Sequence, residues 1–235
     1  MSILEQLASS VGSHSQQANV EVAQKCVAKP ALLAEIVAGM TSKNARQAGD
    51  CAEVITKVGE THPKLIVPFA AALRPFLHHK NGRVRWESAH AYGLIAGLIP
   101  QTIEAELRAL AEILGTDESI IVRDYVIDAV HNYGATSSLA AEKAYPILKQ
   151  ALGAWQTKQS ARVLGALKAL APLLPARHNE MAKLAAVYKD HERTGVRKSA
   201  SALARAVGDA ARSTSTGQKA NVAESKESKG HSRRG

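Results

Sequence analysis

The sequence predicts an all-α chain, an α-solenoid of about five helix-turn-helix units stacked side by side. Three observations carry this. A small or branched residue followed by arginine recurs at near-constant intervals. Between these sites, apolar residues fall three or four apart, the spacing of one helix face. Apolar residues make up 46% of the chain but aromatics only 4%. Alanine and leucine therefore do the packing, which suits closely spaced helices; a β-sandwich draws on Val, Ile, Thr and rings.

Taken in order, residues 3–12 (ILEQLASSVG) read as a capping helix, within a cap over 1–19, and residues 20–40 as a degenerate first repeat. End repeats of such arrays are commonly atypical. The arginine helices follow. Their marks are Ala45-Arg46, Val84-Arg85, Val122-Arg123, Ala161-Arg162 and Val196-Arg197, at intervals of 39, 38, 39 and 35 residues. Six residues past the arginine stand Ala52, Ala91, Ala129 and Leu203; the fourth copy has Lys168 there, as if its register had slipped by one. The intervening helices show the stripes Leu65, Phe69, Ala72, Phe76; then Ile103, Leu107, Leu110, Leu114; then Tyr145, Leu148, Leu152, Trp155; and last Met181, Leu184, Tyr188. A unit of about forty residues cannot bury its own stripe, so neighbours must bury it. The repeats run to about residue 210 in a single domain of 1–212. Residues 213–235 are polar and aperiodic and read as a disordered basic tail.

The segment VRWESAHAYG (84–93) resembles the second helix of a HEAT-like or armadillo-type repeat, in which Val-Arg precedes alanines and a Leu-Gly pair; here Tyr92-Gly93 takes the pair's place. The resemblance covers roughly residues 20–210. It implies a right-handed solenoid whose arginine helices line a concave binding surface. The family's aspartate six residues before the arginine is matched by Asp117 alone; Met40, His79, Gln156 and His191 stand there in the other copies. An Asp–Arg ladder is thus expected in the middle only.

Reaction signatures are missing: no phosphate-binding glycine loop, no GxSxG, no HExxH and no CxxC. No catalytic residue, metal ligand or cofactor is assigned. His78 and His79 read as loop histidines, and Cys26 and Cys51 as reduced core thiols of a cytoplasmic protein. No stretch has the length of a membrane span, and the start carries no signal-peptide pattern.

Net charge is +9. Five of the Lys/Arg and two of the Glu lie beyond residue 212, so residues 1–212 carry +6 on their own. Such a balance raises the expectation of an anionic partner. The row Arg46, Arg85, Arg123, Arg162, Arg197 admits two roles. It can follow a phosphate backbone, or it can join repeats through hydrogen bonds to helix-end carbonyls and carboxylates. The junction role is the favoured one. The flanking Lys43, Lys80, Arg83, Lys158 and Lys198 are expected to be solvated and open to a partner.

In the third arginine helix Val122, Tyr125, Val126, Ala129, Val130 and Tyr133 form the apolar face, and Arg123, Asp124, Asp128, His131 and Asn132 the polar one. In the second helix Trp86 and His90 occupy the polar slots of Asp124 and Asp128. A large aromatic there is a recognition candidate or a packing residue. Two functions follow. One is a non-enzymatic scaffold or adaptor holding a protein segment at Trp86, His90, Asp124, Asp128 and His131. The alternative is nucleic-acid binding: a fainter similarity of fold, size and charge to AlkD-type DNA alkylation repair glycosylases implies that Trp86 with Asp124 or Asp128 would serve a damaged duplex.

Overall fold

A computed structural model describes residues 2–13 and 15–209. The predicted tail, 213–235, lies outside them. Among the described residues there are helices and turns and no strand. The helices are α1 (Gln17–Ala28), α2 (Leu33–Gly39), α3 (Ala45–Thr61), α4 (Ala70–Leu73), α5 (Gly82–Ile95), α6 (Pro100–Thr116), α7 (Ile120–Gly134), α8 (Ser138–Gly153), α9 (Ser160–Leu170), α10 (His178–Tyr188) and α11 (194–209). The described residues divide between Gln159 and Ser160 into two compact units.

In the first unit the arginine helices α3, α5 and α7 run parallel. Gly49 approaches Arg83 and Gly59 approaches Leu94, while Gly93 approaches Tyr125 and Gly97 approaches Asn132, so rising numbers meet rising numbers. Thr56 donates its hydroxyl to the Glu87 carbonyl and the Asn132 amide donates to the Gly93 carbonyl, each at 3.0 Å. The intervening helices run back against them: Tyr92 donates to Glu106, and Tyr133 to Glu104 at 2.9 Å. Helix α3 is wedged between α1, α2 and α5 and is buried almost along its whole length. Small residues allow the close approach. A methyl added at Gly93 would stand 3.1 Å from the Tyr125 carbonyl oxygen, so α5 and α7 touch there backbone to backbone.

Each arginine helix of this unit starts at a side-chain cap. Asn44 accepts from the amides of Arg46 and Gln47, Asn81 from Arg83, and Ser119 from Val122. Such caps satisfy amides that the first turn leaves without partners. The predicted small residues Ala52, Ala91 and Ala129 are all buried. In the second unit Leu203 is buried as well, while Lys168 is exposed and Leu167 buried, which is the one-residue slip expected of the fourth copy.

Two expected elements differ. Residues 3–12 are not a helix but a single 3-10 turn, Ile3–Gln6, followed by turns; it still buries Ile3, Leu7 and Ala8. The stripe Leu65, Phe69, Ala72, Phe76 fails except at Phe76. Pro63, Pro68 and Pro75 break this stretch into 3-10 turns around α4, because each removes an amide donor and blocks the preceding turn. The shortened turns rotate Ile66, Ala70, Leu73 and Leu77 into the core instead.

Candidate functional site

Three of the repeat arginines, one buried and two half-buried, reach back to a carbonyl. Arg85 donates through Nη1 to the His79 carbonyl at 2.8 Å, Arg123 to the Asp117 carbonyl, and Arg197 to the His191 carbonyl at 2.8 Å. The offset is six residues each time. A guanidinium at this position therefore caps the end of the preceding segment through its backbone, whatever side chain stands six residues earlier. In the middle the aspartate adds its carboxylate. Asp117 pairs with Arg85 Nε at 2.7 Å and accepts from the Ser119 amide at 2.8 Å. One residue thus ties two successive arginine helices together, where the sequence placed the only rung of a ladder. Arg46 and Arg162 are exposed.

Arg123, assigned from the sequence to a polar face, is fully buried at 1% exposure. Its guanidinium lies under the Trp155 ring, 4.1 Å from the centroid. Trp155 in turn donates its indole N–H to the Leu114 carbonyl at 3.0 Å. It does not extend the α8 stripe as expected. It sits beyond the helix in a turn where Trp155, Gln156 and Thr157 all have positive φ, at 51°, 55° and 62°. Left-handed backbone costs a residue with a Cβ about 1–2 kcal/mol, and the cation–π contact with its hydrogen bond offsets part of that.

Arg83 also departs from expectation. It is not a solvated rim cation. Its guanidinium forks between Asp50 (2.9 Å) and Glu53 (2.6 Å), whose side chains are only 4% and 2% exposed. Asn19, itself buried, donates to Asp50 at 3.0 Å and to Glu53 at 2.7 Å, and accepts from the Ala8 amide. Burial pushes the Asp50 carboxyl up; hydrogen bonds from Ser9 and Asn19 and the Arg83 charge outweigh it and hold the group below its ordinary value. The signal was present in the sequence as the DCAE of α3, one repeat before Arg83. Of the other expected cations, Lys43, Lys80 and Lys198 are exposed, the last in the second unit, and Lys158 is exposed with partners of its own.

On the α5–α7 face one predicted residue, His90, meets a residue that had not been predicted there. His90 stacks on Tyr125 with ring centroids 3.9 Å apart and planes 6° from parallel. Tyr125 had been assigned to the core; it is half-buried and shares the face with His90. One helical turn earlier stand Trp86 on α5 and Ile121 on α7. Trp86 is half-buried, and Ile120 and Ile121 are 45% and 43% exposed. Burial raises the Glu87 carboxyl, while hydrogen bonds from Thr56 and Trp86 pull it back. Asp124 and Asp128 are half-buried on α7 and engaged in interactions of their own. Burial lowers the His131 pKa, against the pull of Asp128 and Asn132. His79 serves structure: its ring accepts from the Asn81 amide at 3.1 Å. Among the described residues no group of three His, Cys, Asp or Glu has the geometry to hold a metal, and no helix is long and apolar enough to cross a membrane.

Solved structures share this fold. A designed armadillo repeat protein in complex with the peptide (KR)4 superposes with a TM-score of 0.65 at 19% identity, over 87% of this chain and 98% of its own. The fold is that of the armadillo/HEAT helical repeats. An engineered protein, target OR329, matches at TM-score 0.62 and 16% identity over 89% of this chain and 98% of its own. Kap121p bound to Nup53p matches at 0.64 and 17% over 82% of this chain, which spans 21% of that chain. No protein-family model and no curated protein matches the sequence.

Proposed function

We propose that the protein is a non-enzymatic cytoplasmic scaffold that holds an extended segment of a protein partner on the face formed by α5 and α7. The observation that carries this reading is the His90–Tyr125 stack, with Trp86 and the exposed Ile121 one turn away. Half-buried aromatic and aliphatic side chains give a partner's apolar anchor a surface to cover. The fold supports it, since one similar structure is in complex with the peptide (KR)4 and another is bound to Nup53p, and such repeats work through extended surfaces. Asp124, Asp128 and His131 border the contact and supply polar selectivity. A phosphate track is less well supplied: Arg83 and Arg85 are held by carboxylates and Arg123 is buried.

The test is selection of a displayed peptide library on the immobilised full chain, followed by anisotropy titration of the enriched peptides and of a labelled DNA duplex at low and physiological salt. Enriched peptides sharing an apolar anchor are expected, with affinity reduced about tenfold or more in Trp86→Ala and His90→Ala. No enrichment over the Trp86→Ala chain, or steeply salt-dependent duplex binding indifferent to both substitutions, overturns the proposal.

A further inference from the structure

One repeat arginine has lost the structural task of its counterparts. Arg85, Arg123 and Arg197 each reach the carbonyl six residues earlier. Arg46 does not reach Met40, and among the described residues no carboxylate or carbonyl pairs with its side chain. Ser42 bonds Gln47 instead at 2.7 Å, and Asn44 caps the helix. Arg46 instead lines a cavity of about 510 Å³ between the N-terminal segment and helices α1, α3 and α5. That volume lies within the range of ordinary ligand sites.

The walls of this cavity are built, not incidental. Asn19 and Asp50 line it at 1% and 3% exposure, and Arg83 and Ser9 complete a hydrogen-bonded floor. The α5–α7 junction manages with the Asp117–Arg85 pair beside a stacked ring pair and a glycine contact, whereas here the buried side chains of Asn19, Asp50 and Glu53 converge. Apolar packing of the same volume is commonly as stable as a buried ion network or more so. Here the network abuts an open cavity and fixes the walls beneath Arg46. The Asp50 carboxylate is already satisfied by Ser9, Asn19 and Arg83, so the floor does not call for a cation. The group left to bind is a donor, the planar fork of Arg46; the Ser13 and Ser15 hydroxyls are already in hydrogen bonds, to Ser15 and from Gln17.

We infer that this cavity binds a small molecule through an oxyanion, a phosphate ester or a carboxylate, held by Arg46. Arginine presents paired N–H groups that match either oxyanion in bidentate fashion. The site is separate from the α5–α7 face and does not depend on the peptide reading.

The experiment is calorimetric titration of the full chain with O-phosphoserine and, in a second arm, with succinate, each at two ionic strengths. The tighter arm identifies the oxyanion as phosphate or carboxylate. Arg46→Gln is expected to weaken the tighter probe roughly 10- to 100-fold, the range of a charge-assisted contact, and Arg46→Lys less. Lys43→Gln, at an exposed cation three residues earlier in the preceding loop that does not line the cavity, is expected to leave it unchanged. Arg46 is exposed, so its variants are expected to keep the parent unfolding curve. No binding of either probe at tens of millimolar, or equal losses in the Arg46 and Lys43 variants, overturns the inference.

Discussion

Replacing Arg83 by methionine isolates the charge network at the start of the repeat array. Methionine keeps the length of the stem that lies over Gly49 and removes only the guanidinium fork. Asp50 and Glu53 then stay 4% and 2% exposed with Asn19 as their remaining shared donor. Removing one partner of a fully buried ion pair costs about 3–5 kcal/mol. Arg83 is one-third exposed, and the adjoining cavity admits water to Asp50, so the expected loss is about 2–3 kcal/mol after discounting for screening. For a chain of this size that is a fall in Tm of roughly 4–12 °C, read by circular dichroism with urea titration alongside. The pH dependence supplies the sign. The Asp50 carboxyl is depressed below its ordinary value of 3.8, so its stabilisation is complete above that pH and is lost as pH falls through its lower folded value. The gap between parent and variant should therefore hold at neutral pH and narrow in acid. A variant within about 0.5 kcal/mol of the parent at pH 7 refutes the network's role. So does a gap that widens in acid.

The remaining predictions concern other contacts. Trp155→Ala removes the ring over Arg123 and the bond to Leu114, and should lower stability by about 2–4 kcal/mol in urea titration; Trp155→Phe should lose less. Gly93→Ala puts a methyl 3.1 Å from the Tyr125 carbonyl on a packed helix and should destabilise despite its gain in helix propensity. Gly165→Ala in α9 meets nothing within 4 Å and should stabilise by about 0.5–1 kcal/mol; opposite signs for the two in one thermal-melt series are the expected result. Burial pushes the Cys26 and Cys51 thiols up to about 11 and about 12, so neither should react with a disulfide reagent at neutral pH until the chain is unfolded. Rapid labelling of the native chain would show that α1 and α3 open locally.

The helices were legible because their causes are local. The small residues six after the arginine and the one-residue slip at Lys168 are properties of single helices, and the structure follows both; the apolar spacing holds where no proline or turn interrupts it. The region of residues 63–78 was misread because three prolines override an apolar stripe whose spacing alone looks helical. The site was legible in part. The pairing of α5 with α7 followed from the repeat, so Trp86, His90, Asp124 and Asp128 fall on neighbouring helices. Tyr125 was missed as His90's partner because helical phase places it between core and surface, and only the packing of α5 decides which side wins.

The arginines show why a repeat constrains structure before it constrains function. A guanidinium six residues after a carbonyl is a device for closing a turn, and it works with His79, Asp117 or His191 at the acceptor position because the backbone supplies the oxygen. Recurrence of the arginine is therefore explained without any ligand. The informative arginines are the ones whose surroundings differ: Arg83, drawn to Asp50 and Glu53, and Arg46, with no carbonyl to close. Both line the same cavity. A row of five equal cations would have argued for a polyanion along the whole surface. Of the five, Arg85, Arg123 and Arg197 reach back to a carbonyl, while Arg46, with Arg83 of the next helix, lines one pocket, which argues for a localised anion there, with the α5–α7 face left to a different partner.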